Sequence, residues 1–260
     1  MVFCYLDDVL IAGIEFEDCR NKLYLVLDRL SKANIKVNLQ KCSFFVDSLP
    51  YLGYILTSNG LKPCPQKIET IRLAKPPRNV SELKAFLGLL HFHGKFIPRL
   101  SSRLKCFYNL LKKDVKFVWS DECQKKFDDC KNCLMKANLL EFFDPAKPIV
   151  VVSDACSYGL GGVIAHVVNG VEKPISFTSF SLNKAQQSYP ILHLEALAVV
   201  STGKKFHKFL YGKKFTVVTY HKPLIGIFGK EGKNAIYVTR LQRYVMELSI
   251  YDLSPISIYG

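Results

Sequence analysis

Residues 147–219 hold the pattern that most narrows the fold. Ile149-Val-Val-Val-Ser153 is a short apolar run rich in β-branched residues, so it reads as a buried strand ending at Asp154. Gly162–Val168 and Val171–Thr178 flank Asn169-Gly170, a pair that accepts the positive φ angles of a tight turn, and so form a hairpin. Pro190, favoured at the start of a helix, opens a segment carrying Leu194, Glu195, Leu197 and Ala198. Phe215-Thr-Val-Val-Thr219 is the next strand. Three strands, a helix and a further strand make an α/β order. The last strand is expected to lie parallel to the first through a right-handed crossover.

The earlier residues follow other rules. Residues 2–13 read as a strand pair bent at Leu6–Asp8, and 17–33 as a helix with Leu23, Val26, Leu27 and Leu30 on one face. Tyr51-Leu-Gly-Tyr-Ile-Leu followed by Ser58-Asn59-Gly60-Leu61 predicts a second hairpin, with Asn59-Gly60 in its turn. From Pro63 to Lys113 short helices are broken by prolines. Asn79 and Glu82 form a cap pair, and Leu83, Phe86, Leu87 and Leu90 make an apolar face. Another helix spans about 121–136 after Ser120. The expected division is 1–62, 63–146 and 147–260, with no internal repeat.

Charge points to a partner. The 260 residues carry 36 Lys and Arg against 22 Asp and Glu, a net charge of +14. An excess of this size fits a polyanion, because Lys and Arg near phosphates release condensed counterions. A solvated basic surface is the alternative. Lys84, Lys95, Arg99, Arg103, Lys105, Lys112 and Lys113 concentrate the charge in the helical segment. Nine cysteines, an odd number at irregular spacing, read as reduced thiols. Cys130 and Cys133 form a CxxC, but Cys123, Phe127, Cys130 and Leu134 share a helical stripe, which favours core packing over zinc. No stretch reaches the ~18 apolar residues of a membrane span, and the acids near Met1 argue against a secretory leader. An intracellular protein, cytoplasmic or nuclear and without a membrane partner, is the expectation.

Two acid pairs carry candidate chemistry. Asp154 at a strand end and Glu195 on the following helix would repel one another unless protonated or bridged by cations. Two Mg²⁺ ions about 4 Å apart resolve that repulsion and drive in-line attack on a phosphodiester. A turn cap with Ser157 and a surface glutamate are the plainer alternative. Asp7 and Asp8 at a hairpin tip could hold Mg²⁺ against a triphosphate, or form an ordinary acidic turn.

Over nearly its whole length the chain resembles the pol polyprotein of gypsy-class LTR retrotransposons. Tyr5-Leu6-Asp7-Asp8 resembles the reverse-transcriptase palm motif, and Asn38-Leu-Gln-Lys-Cys-Ser-Phe-Phe45 with Tyr51-Leu-Gly-Tyr-Ile55 resembles the approach to the primer-binding hairpin. Phe86-Leu-Gly-Leu-Leu-His-Phe92 with Phe96-Ile-Pro98 is similar to the thumb and connection. Asp154-Ala-Cys-Ser-Tyr-Gly-Leu-Gly161, Ser181-Leu-Asn-Lys184, Leu210–Thr219 and Arg240-Leu-Gln-Arg243 resemble the ribonuclease H domain.

The resemblance implies a mixed α/β and α+β fold: a partial palm with primer-grip hairpin at 1–62, a helical thumb and connection at 63–146, and a ribonuclease H-like mixed sheet at 147–260. It implies RNA-directed DNA polymerase and RNA–DNA hybrid ribonuclease H lineages, both with two-metal Mg²⁺ chemistry and Mn²⁺ as a substitute. Asp7 and Asp8 correspond to the palm metal acids, and Asp154 and Glu195 to ribonuclease H acids. Leu52, Gly53 and Tyr54 would position a primer end. Lys84, Lys95, Arg99 and Arg103 would track a template–primer duplex or RNA–DNA hybrid through its backbone.

Three departures qualify this. The resemblance places another palm acid and the fingers before Met1, and the last ribonuclease H site residue beyond Gly260. Where the family has Thr-Asp-His-Lys, this chain has Thr219-Tyr220-His221-Lys222. A phenol with a pKa of about 10 is neutral at pH 7 and a poor Mg²⁺ ligand. The expectation is a polyprotein fragment, inactive or strongly impaired alone, that works with remaining pol segments or an intact copy. A basic nucleic-acid-binding module without chemistry is the alternative, and a gene-model fragment starting at an internal methionine is a third.

Overall fold

A computed structural model describes residues 1–137, 139–228 and 239–258. Two compact units divide them, Met1–Leu49 and Pro50–Gly260. In the first, β1 (Val2–Tyr5) and β2 (Asp8–Ile11) pair antiparallel, with Tyr5 opposite Asp8 and Leu6-Asp7 at the tip. Helix α1 (Phe16–Lys32) follows, with Glu17 and Asp18 in its first turn and Arg29 and Lys32 in its last, both favourable to the helix dipole. Asp18 accepts the Ile14 backbone N–H at 3.0 Å and a Lys22 hydrogen bond at 2.5 Å. The apolar residues of this unit stay largely in contact with solvent, Leu6 at 84% and Ile14 at 95% exposure.

A three-stranded sheet, β3 (Ser48–Tyr51), β4 (Tyr54–Thr57) and β5 (Gly60–Pro63), starts at the boundary and continues into the second unit. Its turns correct the sequence reading. Thr57 pairs with Gly60, so Ser58-Asn59 make the β4–β5 turn and Gly60 already belongs to the strand. Gly60 is displaced into β5 because Leu61 bridges Leu140 through two backbone hydrogen bonds, and a Cβ on Gly60 would lie 2.2 Å from the Leu140 carbonyl oxygen. The positive φ pair sits earlier, at Leu52 (48°) and Gly53 (80°) between β3 and β4.

Four helices form the basic segment: α2 (Pro65–Leu73), α3 (Val80–Phe92), α4 (Leu100–Leu110) and α5 (Asp121–Met135). The Asn79 side chain caps α3 by accepting the Glu82 N–H at 2.9 Å, while Glu82 accepts the Arg78 N–H at 2.8 Å. Leu83, Phe86, Leu87 and Leu90 are buried as their spacing requires. Cys123, Phe127, Cys130 and Leu134 bury the matching stripe of α5. Burial pushes the Cys130 thiol up to about 12, so it packs as an apolar group with no thiolate at neutral pH. Among the described residues, no helix is long and apolar enough to cross a membrane.

The second layer is a five-stranded sheet. Strands β6 (Ile149–Cys156), β7 (Gly159–Val168) and β8 (Val171–Ser181) run antiparallel in turn, and Asn169 (φ 53°) and Gly170 (φ 77°) make the expected tight turn. Beyond α6 (Lys184–Gln187), helix α7 (Ile191–Lys205) and the short α8 (His207–Leu210) lead into β9 (Lys214–Thr219), which lies parallel to β6 as predicted. Helices α9 (Pro223–Phe228) and α10 (Thr239–Leu248) precede β10 (Asp252–Ile258). The sheet order is β10-β9-β6-β7-β8. Ile149, Val151, Ile164 and Val217 on one face pack against Ala196, Val199 and Val200 of α7.

Candidate functional site

Asp154 lies inside β6, paired with Gly161 of β7, where the sequence placed it at the strand's end. The strand runs on to Cys156 because its partner segment starts Gly159-Leu-Gly-Gly162, whose small residues let the ladder continue to a tight turn. Val150 and Val152 share Asp154's face of the sheet and cluster with Val218 and Val163. The β6–β9 register pairs Val150 with Thr216 and Val152 with Val218. Continued by two residues, that register would set Tyr220, at the bend after β9, level with Asp154.

Glu195 comes from α7, in a turn whose neighbours Leu194 and Ala196 are in the core. The helix approaches the sheet closely because position 162 is glycine. A Cβ there would lie 2.3 Å from the Thr202 hydroxyl. Glu195 is only 6% exposed, and its Oε2 has no hydrogen-bond partner among the described residues. Burial, and then the charge of Asp154, push its carboxyl up to about 7, while the Ala155 backbone amide opposes the rise. The expected pair of acids is therefore brought together, close enough for the charge of Asp154 to act on Glu195.

The third position differs. Tyr220, which the sequence resemblance sets at a third acid position, is 54% exposed just past β9. Arg99, which the sequence assigned to phosphate tracking, instead reaches across from the start of α4 and bonds Asp154 Oδ2 at 2.8 Å. Among the described residues, no group of three or more His, Cys, Asp or Glu is placed to hold a metal ion. Two-metal binding requires carboxylates that bridge and flank the ions. One acid engaged by a guanidinium and one buried acid do not supply that set of carboxylates.

The palm-type pair is separate. Asp7 and Asp8 are exposed at the β1–β2 tip, and such a turn offers Mg²⁺ two carboxylates beside substrate oxygens, a donor set that fits.

The remaining sequence-assigned residues are scattered over the second unit. Leu52-Gly53 form the positive-φ turn, and Tyr54 beyond it stacks on Phe92 at 5.1 Å and donates to the Phe92 carbonyl at 3.0 Å. Lys95 lies 3.5 Å from the Tyr54 ring centroid, with burial lowering its ammonium to about 8. Lys84 is exposed on α3. Arg103 bonds Asp129 and donates to the Pro98 carbonyl, which makes it a tie between α4 and α5. Sequence reasoning missed one residue, His93, and the Arg99–Asp154 contact. His93 is fully buried beside Tyr54, and both its ring nitrogens lack partners among the described residues. The Arg99 contact had one weak signal, the glycines after Asp154, since strand glycines mark close approach by another part of the chain.

Comparison with known proteins assigns both ends of the chain. Residues 1–56 match the reverse transcriptase (RNA-dependent DNA polymerase) family, and residues 119–217 match the RNase H-like domain found in reverse transcriptase. The retrovirus-related Pol polyprotein from transposon opus of Drosophila melanogaster is 31% identical over 96% of this chain and 26% of its own length. The Tf2-3 polyprotein of Schizosaccharomyces pombe is 31% identical over 89% of the chain and 18% of its own length. The chain thus spans about a quarter or less of the curated relatives it matches.

Two foamy viral protease–reverse transcriptase structures share the fold. One, in complex with double-stranded DNA, superposes with a TM-score of 0.84 at 20% identity, over all of this chain and 46% of that one. The other, in complex with RNA/DNA hybrid, gives 0.81 at 21%, over all of this chain and 35% of that one. With a segment matching the reverse transcriptase family followed by one matching the RNase H-like domain found in reverse transcriptase, the chain belongs with the Pol polyproteins of LTR retrotransposons.

Proposed function

We propose that this stretch, of gypsy-class type, holds a template–primer duplex or RNA–DNA hybrid, and that its RNase H-like site hydrolyses the RNA strand weakly or not at all. The observation that carries the second part is Tyr220 in the sequence where the resemblance calls for a third carboxylate, at a position that the β6–β9 register, continued past β9, would set level with Asp154. The net charge of +14 and the exposed lysines of the helical segment support the first. So do the nucleic-acid duplexes bound by the foamy viral relatives of the fold. Mg²⁺ held at Asp7 and Asp8 would supply charge neutralisation for nucleotide transfer. These two side chains hold the charge at a hairpin tip, and Gly53-Tyr54 would seat the primer end.

The apolar surface of the first unit, with Val2, Phe3, Tyr5 and Leu6 exposed, fits a unit completed by other pol segments or an intact copy. The binding part is tested by filter-binding titration of RNA–DNA hybrid across salt concentrations. The affinity is expected to fall linearly in log–log form with salt. An affinity indifferent to salt would remove the phosphate-contact reading.

A further inference from the structure

We infer that Arg99 is the resident cation of the Asp154 carboxylate: it closes this acid to divalent metal and turns a metal position into a latch between α4 and the β6–β7 hairpin. Three observations support it independently. The guanidinium bonds Asp154 Oδ2 at 2.8 Å. Arg99 has a left-handed backbone, φ 51° and ψ 40°, at the N-terminal boundary of α4. A non-glycine residue keeps that conformation where its surroundings hold it there. A Cβ at position 161, the ladder partner of Asp154, would be in ordinary contact with Arg99 Cγ at 3.4 Å, so the arginine stem runs over the strand beside this acid.

The same end of α4 is tied to the sheet again. The Ser101 N–H donates to Ser179 Oγ of β8 at 3.0 Å, so the arginine is delivered by an anchored helix start. The groups facing Asp154 are then Arg99 from α4, Glu195 from α7 and, by register, Tyr220 after β9. A divalent ion seated at Asp154 would stand roughly 4 Å from the guanidinium charge. Even at the dielectric of water, that repulsion is worth more than about tenfold in affinity.

The inference rests on the reading of Asp154 as the site acid. Its test contains no nucleic acid, so its failure and a failure of duplex binding are separate results. Mn²⁺ binding to the full chain is followed by the loss of the free-ion electron paramagnetic resonance signal. The variants are wild type, Arg99→Gly (which accepts the positive φ) and Arg99→Gly with Asp154→Asn. The wild type is expected to show no Mn²⁺ site that depends on Asp154. Arg99→Gly is expected to gain one, at least about tenfold tighter than any in the wild type, and the double variant to lose it. Equal Mn²⁺ affinity of wild type and Arg99→Gly would overturn the inference. Should Arg99→Gly not fold, the wild type alone decides: Mn²⁺ binding abolished by Asp154→Asn overturns it, and no such binding supports it.

Discussion

Gly162→Ala is the substitution whose cost follows most directly from the geometry. The new methyl would sit 2.3 Å from Thr202 Oγ1, 2.5 Å from its Cγ2 and 3.0 Å from its Cβ, where ordinary contact begins near 3.4 Å. Neither side can retreat easily. Gly162 is fixed between Ser153 and Thr178 in two ladders, and Thr202 is fully buried on α7. Overpacking of this kind costs about 2–3 kcal/mol, the upper part of the usual range for inserted methylenes. In a chain of this size that lowers the melting midpoint by about 5–10 °C. The assay is urea and thermal unfolding of the wild type, Gly162→Ala, Thr202→Ala and the double variant. Thr202→Ala removes the two closest atoms and a buried hydroxyl without a partner among the described residues, so it should cost little alone. In its background Gly162→Ala should cost at least about 1 kcal/mol less. A Gly162→Ala penalty below about 0.5 kcal/mol, or one unchanged by Thr202→Ala, would refute the close-approach argument.

Two pH effects of opposite sign follow from buried groups. His93 is held down to about 4 by burial, aided by Lys67 and Lys95, so the unfolded chain takes up this proton near 6.5 and the folded chain does not. Its stability contribution is present above pH 6.5 and lost as pH falls toward 4, by about 3 kcal/mol; His93→Phe should flatten unfolding curves in that window, and an unchanged acid slope would contradict this. Glu195 is raised to about 7 from an ordinary 4.5, so its contribution is full below 4.5 and lost as pH rises through 7. Glu195→Gln should remove a loss of about 3 kcal/mol between pH 4.5 and 8, and an equal slope in wild type and variant would count against its burial.

Much of the framework was legible because its signals are local. Ser120 before α5, Pro190 before α7 and Asn169-Gly170 between β7 and β8 act within a turn of themselves, and the structure follows each. Asn59-Gly60 misled by one residue because a distant strand segment at Leu140 draws Gly60 into β5. The parallel pairing of β10 with β9 was hidden by Pro255. Its edge position and a register shift between Ser254 and Ser257 accommodate the proline. Asp154 and Glu195 were singled out from residue type and element. The ion pair that engages Asp154 comes from a helix start far away in sequence, and no periodicity reports such a contact. Tyr220 needed no structure to be noticed, and only the β6–β9 register, continued past Thr219, would set it level with Asp154.

The most direct test of the account is cleavage of the RNA strand of an RNA–DNA hybrid in Mg²⁺, followed by gel for the wild type and for Tyr220→Asp, with Asp154→Asn as control. The wild type is expected to bind the hybrid and leave its RNA strand at the level of the Asp154→Asn control, with Tyr220→Asp regaining measurable cleavage once Arg99→Gly also frees Asp154. Mg²⁺-dependent cleavage by the wild type that Asp154→Asn abolishes would contradict the claim that Tyr220 leaves the site incomplete.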